Sequence, residues 1–206
     1  MNGQTARLEL CRQILTGFDI RQIVETGTFR GTTTEWFAQF GRPVVTFEVS
    51  ERFATFSELR LRKYPNVQIV RGNSVDGLRT LLHDGVHRMS TVFYYLDAHW
   101  GHYLPLADEL RLITAQSPRA IVLIDDFAVA GDADYEFDDY GPGKVLNLDY
   151  LVANGFRDLS VFFPATPARL ETGRRRGYVL LTADPNHSAA LARLAHLRAF
   201  TYSREP

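Results

Sequence analysis

At 206 residues, 45% apolar and 23% charged, the chain has the length and composition of one large globular domain with a buried core. A formal net charge of −1 removes any whole-molecule attraction to nucleic acid or to an anionic membrane surface. The single cysteine, Cys11, excludes an internal disulfide framework and a cysteine-rich metal site, and no run has the length and apolarity of a signal peptide or a bilayer span. The expectation is a soluble, cytoplasmic protein with neither nucleic acid nor membrane as a partner.

Residues 5–18 predict an amphipathic helix ending near Gly17, with Leu8, Cys11, Leu15 and Phe18 on its apolar side. An alternation then begins. Gln22–Glu25 predicts a strand and Thr32–Phe40 a helix stopped by Gly41 and Pro43. Val44–Val49, Val67–Arg71, Thr91–Leu96 and Ala120–Ile124 predict further strands. Helices are expected between them over Glu51–Tyr64, over Ser74–Leu82 with Ser74 as N-cap, and over Leu106–Gln116. Continuous apolar strands alternating with helices indicate a parallel sheet covered on both faces.

After Asp126 the rhythm changes: an acidic, Gly-rich loop over residues 128–143, then a helix over Lys144–Ala153. Leu159–Phe163 and Gly177–Thr182 predict an antiparallel pair joined by a Pro- and Arg-rich connection, and Ser188–Phe200 a last helix. The expected architecture is α/β, a Rossmann-like, doubly wound sheet of seven strands, mostly parallel with an antiparallel C-terminal strand. The whole of 1–206 is expected as one domain: an N-terminal helix (1–19), a core (20–130), then the acidic loop, hairpin and last helix (131–206).

In such sheets ligands sit beyond the carboxyl ends of the strands, so the residues there matter most. The first strand ends at Glu25, followed by Gly27 and Gly31, a turn through which a backbone can approach a ligand closely. The second ends at Phe47-Glu48-Val49, where a carboxylate suits the two hydroxyls of a ribose; the plainer alternative is that Glu48 caps the next helix. Asn73 and Ser74 end the third, able to hold a base edge or simply to cap a helix. The fourth ends at Asp97-Ala98-His99-Trp100 and the fifth at Asp125-Asp126. Those three carboxylates would repel one another unless a positive group, such as a hard cation, lies among them; alternatively they are polar strand ends held by backbone amides. His99 and His102 are the general-base candidates, while His83, His87, His187 and His196 are expected at the surface.

Together these residues resemble the class I S-adenosylmethionine-dependent methyltransferases, and within them the metal-dependent O-methyltransferases of the catechol O-methyltransferase type. The resemblance covers about residues 20–130, and methyltransferases of antibiotic gene clusters are almost as similar. Val24-Glu25-Thr26-Gly27-Thr28-Phe29-Arg30-Gly31-Thr32-Thr33 resembles the family's first motif, Leu96-Asp97-Ala98-His99-Trp100 its Leu-Asp-His-Trp segment with one residue inserted, and Asp125-Asp126 its Asp-Asn pair. The resemblance implies that Glu25, Gly27, Thr28, Phe29, Gly31 and Thr32 hold the methionine part of S-adenosylmethionine. It implies Glu48 and Val49 at the ribose, Asn73 and Ser74 near the adenine, and Asp97, His99 and Trp100 completing the cofactor site. Asp97, Asp125 and Asp126 would bind magnesium, and Asp97, His99 and His102 would be catalytic. The family's catalytic lysine has no counterpart: Gly101 stands in its place.

The implied reaction is metal-assisted methylation of a hydroxyl on a small-molecule acceptor, in an enzyme whose terminal helices could serve a homodimer. Two other classes compete. A short-chain NAD(P)-dependent oxidoreductase would use Tyr140 and Lys144, but Gly141-Pro142-Gly143 opposes the helix that this pair needs. A non-catalytic binding protein could keep the fold and lose the chemistry. The acidic loop 132–140 is expected to be solvated, or else a lid with Tyr135 and Tyr140 as its contacts, and Arg174-Arg175-Arg176 is expected in solvent.

Overall fold

The computed structural model describes residues 1–83, 85–100 and 103–202. Its contacts divide into two compact units, Leu15–Ala120 and the combination of Met1–Ile14 with Ile121–Pro206. The chain opens with helix α1 (Thr5–Gly17), whose first ten residues belong to the second of these. Leu10, Cys11, Ile14 and Leu15 are its buried apolar residues, and Arg7 is buried with them. The apolar stripe is thus rotated from the expected one: Leu8 and Phe18 are only half-buried.

Within Leu15–Ala120 the alternation holds. Strands β1 (Ile20–Thr26), β2 (Val44–Glu48), β3 (Val67–Arg71) and β4 (Thr91–Leu96) are separated by helices α2 (Thr32–Ala38), α3 (Glu51–Leu61) and α4 (Ser74–Leu81). Helix α5 (Leu106–Gln116) follows β4. The strands are all parallel, in the order β3-β2-β1-β4. Every residue of β2 and β4 is buried, as expected for strands covered on both faces, while β3 is half-exposed at the edge. Phe37 of α2 fixes one layer, its ring lying edge-on to Phe93 at 5.9 Å and Tyr95 at 5.5 Å. The chain leaves β1 toward β2 and β3 on one side and returns to β4 on the other. The carboxyl ends of β1 and β4 therefore flank the topological switch point.

The other unit is antiparallel. Strands β5 (Ile121–Asp125), β6 (Ser160–Pro164), β7 (Tyr178–Thr182) and β8 (Leu197–Phe200) run in the order β5-β7-β6-β8. Two expectations are corrected here. The helix foreseen over Lys144–Ala153 is only α6 (Leu148–Ala153), because Asn147 caps it by accepting the Tyr150 amide. The last helix is α7 (Pro185–Leu191), started by Asp184 and a proline at its first turn. Residues Leu197–Phe200 form an eighth strand against β6 instead of extending a helix, since pairing with Val161–Pro164 satisfies an otherwise open sheet edge. No helix among the described residues is long and apolar enough to cross a membrane.

Candidate functional site

The turn after β1 is built by its glycines. Gly27 has φ 86°, and a Cβ there would lie 2.6 Å from the Asp97 carbonyl oxygen, so only glycine lets the ends of β1 and β4 meet. The amides of Gly27 and Thr28 both donate to the Phe47 carbonyl, tying the turn to β2 as well. Gly31, at φ 69°, ends the turn under Ser57 and Leu61. Between them Phe29 is half-exposed in a left-handed conformation, its carbonyl accepting from Ser57 and its ring 4.4 Å from that of Phe53. Thr32 is exposed at the start of α2.

Two carboxylates face this turn. Glu25 is 1% exposed and its Oε2 accepts from the Thr34 hydroxyl at 2.5 Å and the Thr46 hydroxyl at 2.6 Å. Its Oε1 has no hydrogen-bond partner. Burial pushes its pKa up to about 7, against the two threonine hydrogen bonds. Glu48 is also buried; its Oε2 accepts the Phe29 amide at 2.7 Å and its Oε1 the Ser50 amide at 2.8 Å. The helix-capping alternative is therefore realised, yet each carboxylate oxygen keeps a lone pair for a further donor. Val49 beside it is 42% exposed.

At the end of β3 the roles are exchanged relative to expectation. Asn73, and not Ser74, caps α4 by accepting the Val75 amide at 2.8 Å. Ser74 is buried and donates its hydroxyl to Glu109 at 2.5 Å. Glu109 is 1% exposed, with its pKa pushed up to about 7 by burial, against hydrogen bonds from Ser74 and Thr26. At the end of β4, Asp97 is half-buried and held by its amide to the Thr26 carbonyl at 3.0 Å. His99 is exposed, and Trp100 pairs with Tyr103 through both backbone amides, the rings 5.0 Å apart. His102 lies outside the described residues. One unit thus carries every described residue expected at the cofactor.

The β5 end differs from expectation. Asp125 is buried in an ion pair with Arg7 at 2.5 Å, and its Oδ1 also accepts the Asp126 amide at 2.8 Å. Asp126 accepts Nε of Arg176 at 2.6 Å, and the same guanidinium donates to Asp138. Burial pushes the Asp126 pKa up, and Arg176 opposes the shift. Arginines supply the positive charge that the sequence pattern demanded. Asp125 and Asp126 do not fit a magnesium site on this geometry, since a hard cation needs oxygens free to surround it. Among the described residues no group of three acidic, histidine or cysteine side chains is arranged to hold a metal.

Other expectations change with it. Arg176 is buried while Arg174 and Arg175 are exposed. Tyr135 is 1% exposed and donates to the Thr166 carbonyl, and Tyr140 donates to Asp138, so neither is a free lid contact. The Tyr140 amide donates to the Lys144 carbonyl across a tight turn, which excludes the one-turn helical spacing of an oxidoreductase pair. His87 and His187 are buried, the first bonded to Gln22 at 2.7 Å. A cavity of about 270 Å³ opens at the carboxyl end of β6, walled by Asp132, Asp134, Thr166, Arg169 and Arg198.

Sequence reasoning passed over Thr34, Thr46, Glu109 and Arg7. Two of these left a trace: Thr46 is the one hydroxyl within Val44–Glu48, and Arg7 stands four residues before Cys11 on the apolar side of α1.

No family model matches the chain. Over 47 residues it is 43% identical to the ribosomal RNA small subunit methyltransferase A of Thermotoga maritima, a match spanning 23% of this chain and 17% of that protein. Its structure is similar to an O-methyltransferase from Bacillus cereus in complex with SAH: TM-score 0.59 and 21% identity, covering 86% of this chain and 79% of the other. An SAH-bound methyltransferase of Podospora anserina matches with TM-score 0.59 and 18% identity, over 84% of this chain and 76% of that one. With its parallel β3-β2-β1-β4 half, its antiparallel terminal strands and these neighbours, the chain has the fold of the class I S-adenosylmethionine-dependent methyltransferases.

Proposed function

We propose that this protein is an S-adenosylmethionine-dependent methyltransferase acting on a hydroxyl of a small-molecule acceptor. The observation that carries the reading is the pair of buried carboxylates, Glu25 and Glu48, on the glycine turn at the switch point of a methyltransferase fold. Glu25 Oε1 is a buried acceptor without a donor, and the cofactor's amino group is a donor of the right kind. Glu48, fixed by two backbone amides, would accept from the ribose hydroxyls. Asn73 would meet the adenine, with Phe29 and Trp100 as flat apolar surfaces.

Bound S-adenosylmethionine supplies a methyl group already activated by its sulfonium charge, so the chain's task is alignment and proton removal. His99, exposed beyond β4, is a group that could take the acceptor's proton. Asp125 and Asp126 are already paired with Arg7 and Arg176.

Calorimetric titration of the whole protein with S-adenosylmethionine, S-adenosylhomocysteine and NAD(H) tests the reading. Binding of the first two and not the third is expected; binding of NAD(H) alone would overturn it.

A further inference from the structure

We propose that Arg7 and Arg176 take, as two fixed guanidinium groups, the charge-balancing place of a divalent cation at the end of β5, so that Asp125 and Asp126 are closed to metal. Its consequence for catalysis, methyl transfer that does not need a cation, rests on the function proposed above.

The two arginines are held in ways a surface pair is not. Arg7 has no side-chain exposure and Asp125 has 2%. The guanidinium of Arg7 also donates to the Gly177 carbonyl at 3.1 Å and lies 4.5 Å from the centre of the Tyr178 ring. Releasing it would leave two buried charges unpaired, so a cation approaching Asp125 competes against a buried guanidinium already in contact. Arg176 has 9% side-chain exposure and spans three carboxylates: Asp126, Asp138 and, at 3.8 Å, Glu136.

The backbone fixes this clamp. A Cβ on Gly177 would lie 2.2 Å from the Phe127 carbonyl oxygen, so the segment carrying Arg176 is pressed onto the one carrying Asp126. Hydrogen bonds from Phe127 to Gly177, from Gly177 to Glu136 and from Asp138 to Asp126 lock the three segments together. Asp126 itself has φ 54°, which turns the chain toward the acidic loop. A divalent ion needs several oxygens converging on one open point. Here Asp125 and Asp126 point to different guanidiniums, and each of these would repel the ion. Because arginine does not lose its proton and is not removed by chelators, the positive half of this balance persists wherever the carboxylates are ionised.

The experiment is a titration of chelator-stripped, full-length protein with Mn²⁺, read by electron paramagnetic resonance. The wild type is expected to show no binding that depends on Asp126 up to about 1 mM. Arg176→Ala, or Arg176→Gln if the alanine variant does not fold, frees Asp126 and Asp138. It should bind Mn²⁺ at least about tenfold more tightly, and Asp126→Asn should cancel that gain. One Mn²⁺ on the wild type that Asp126→Asn removes would overturn the proposal, and so would an Arg176 variant with no gain. Titration with S-adenosylmethionine in excess chelator is the separate arm: failure to bind there and in magnesium defeats the function, not the arginine clamp.

Discussion

The carboxylates after β1 and β2 and those after β5 have similar sequence settings and opposite electrostatic states. Glu25 is buried with one oxygen unanswered, and Glu48 is held only by neutral amides. Asp125 and Asp126, in the other unit, are saturated by arginines from the same chain. Carboxylates left short of positive partners can receive a ligand's donors; carboxylates already paired fix the backbone around them. The strand-end position does not distinguish the two cases. What does is whether the fold brings a guanidinium within reach.

The largest expected effect comes from unpairing the saturated region. Arg7→Ala should lower stability by about 3–5 kcal/mol in urea unfolding, because Asp125 would be left charged and buried. The double substitution Arg7→Met with Asp125→Leu should recover most of that loss; no recovery would show that the pair does more than neutralise itself.

In the open region, Gly27→Ala should cost about 1–3 kcal/mol, since its φ of 86° and the contact with the Asp97 carbonyl leave no room. Loss of S-adenosylmethionine binding should accompany it, measured by calorimetry. Glu48→Gln should weaken that binding about tenfold and cost about 1–3 kcal/mol of stability, because one of the two amides that Glu48 accepts would then face an NH2 group. Equal affinity in this variant would remove Glu48 from the cofactor.

A smaller effect follows from protons. Glu25 and Glu109 are both pushed up to about 7 by burial, so the folded chain holds protons that the unfolded chain releases above about 4.5. Their stabilising contribution is complete below the unfolded value and is lost as pH rises through the folded one. The melting temperature should therefore fall by about 3 °C or more from about pH 5 to about pH 7.5, and Glu109→Gln should flatten the slope. The smallest effect is expected for Lys144→Ala: no change in cofactor affinity beyond about twofold, as befits a residue in a tight turn.

The alternation of strands and helices through residue 125 was legible because it rests on local pattern: apolar runs, glycine stops and caps. The error at 188–200 has the opposite origin. Leucines at 191, 194 and 197 suit a helix face, but pairing with β6 decides the segment, and that partner is remote in sequence. At the candidate site the glycine turn, Glu25 and Glu48 could be found from spacing. Arg7 could not, because its buried partner lies 118 residues away, nor could the choice of Asn73 over Ser74 as the cap, which depends on Glu109 taking the serine hydroxyl.

That separation bears on how the chain reaches its fold. During synthesis Arg7 leaves the ribosome long before Asp125, Gly177 and Tyr178 exist to receive it. Its charge stays hydrated until the sheet segment around β5 and β7 is assembled. Docking of the first fourteen residues is thus a late step with a high contact order, and chains lacking that segment would carry a buried, uncompensated Asp125.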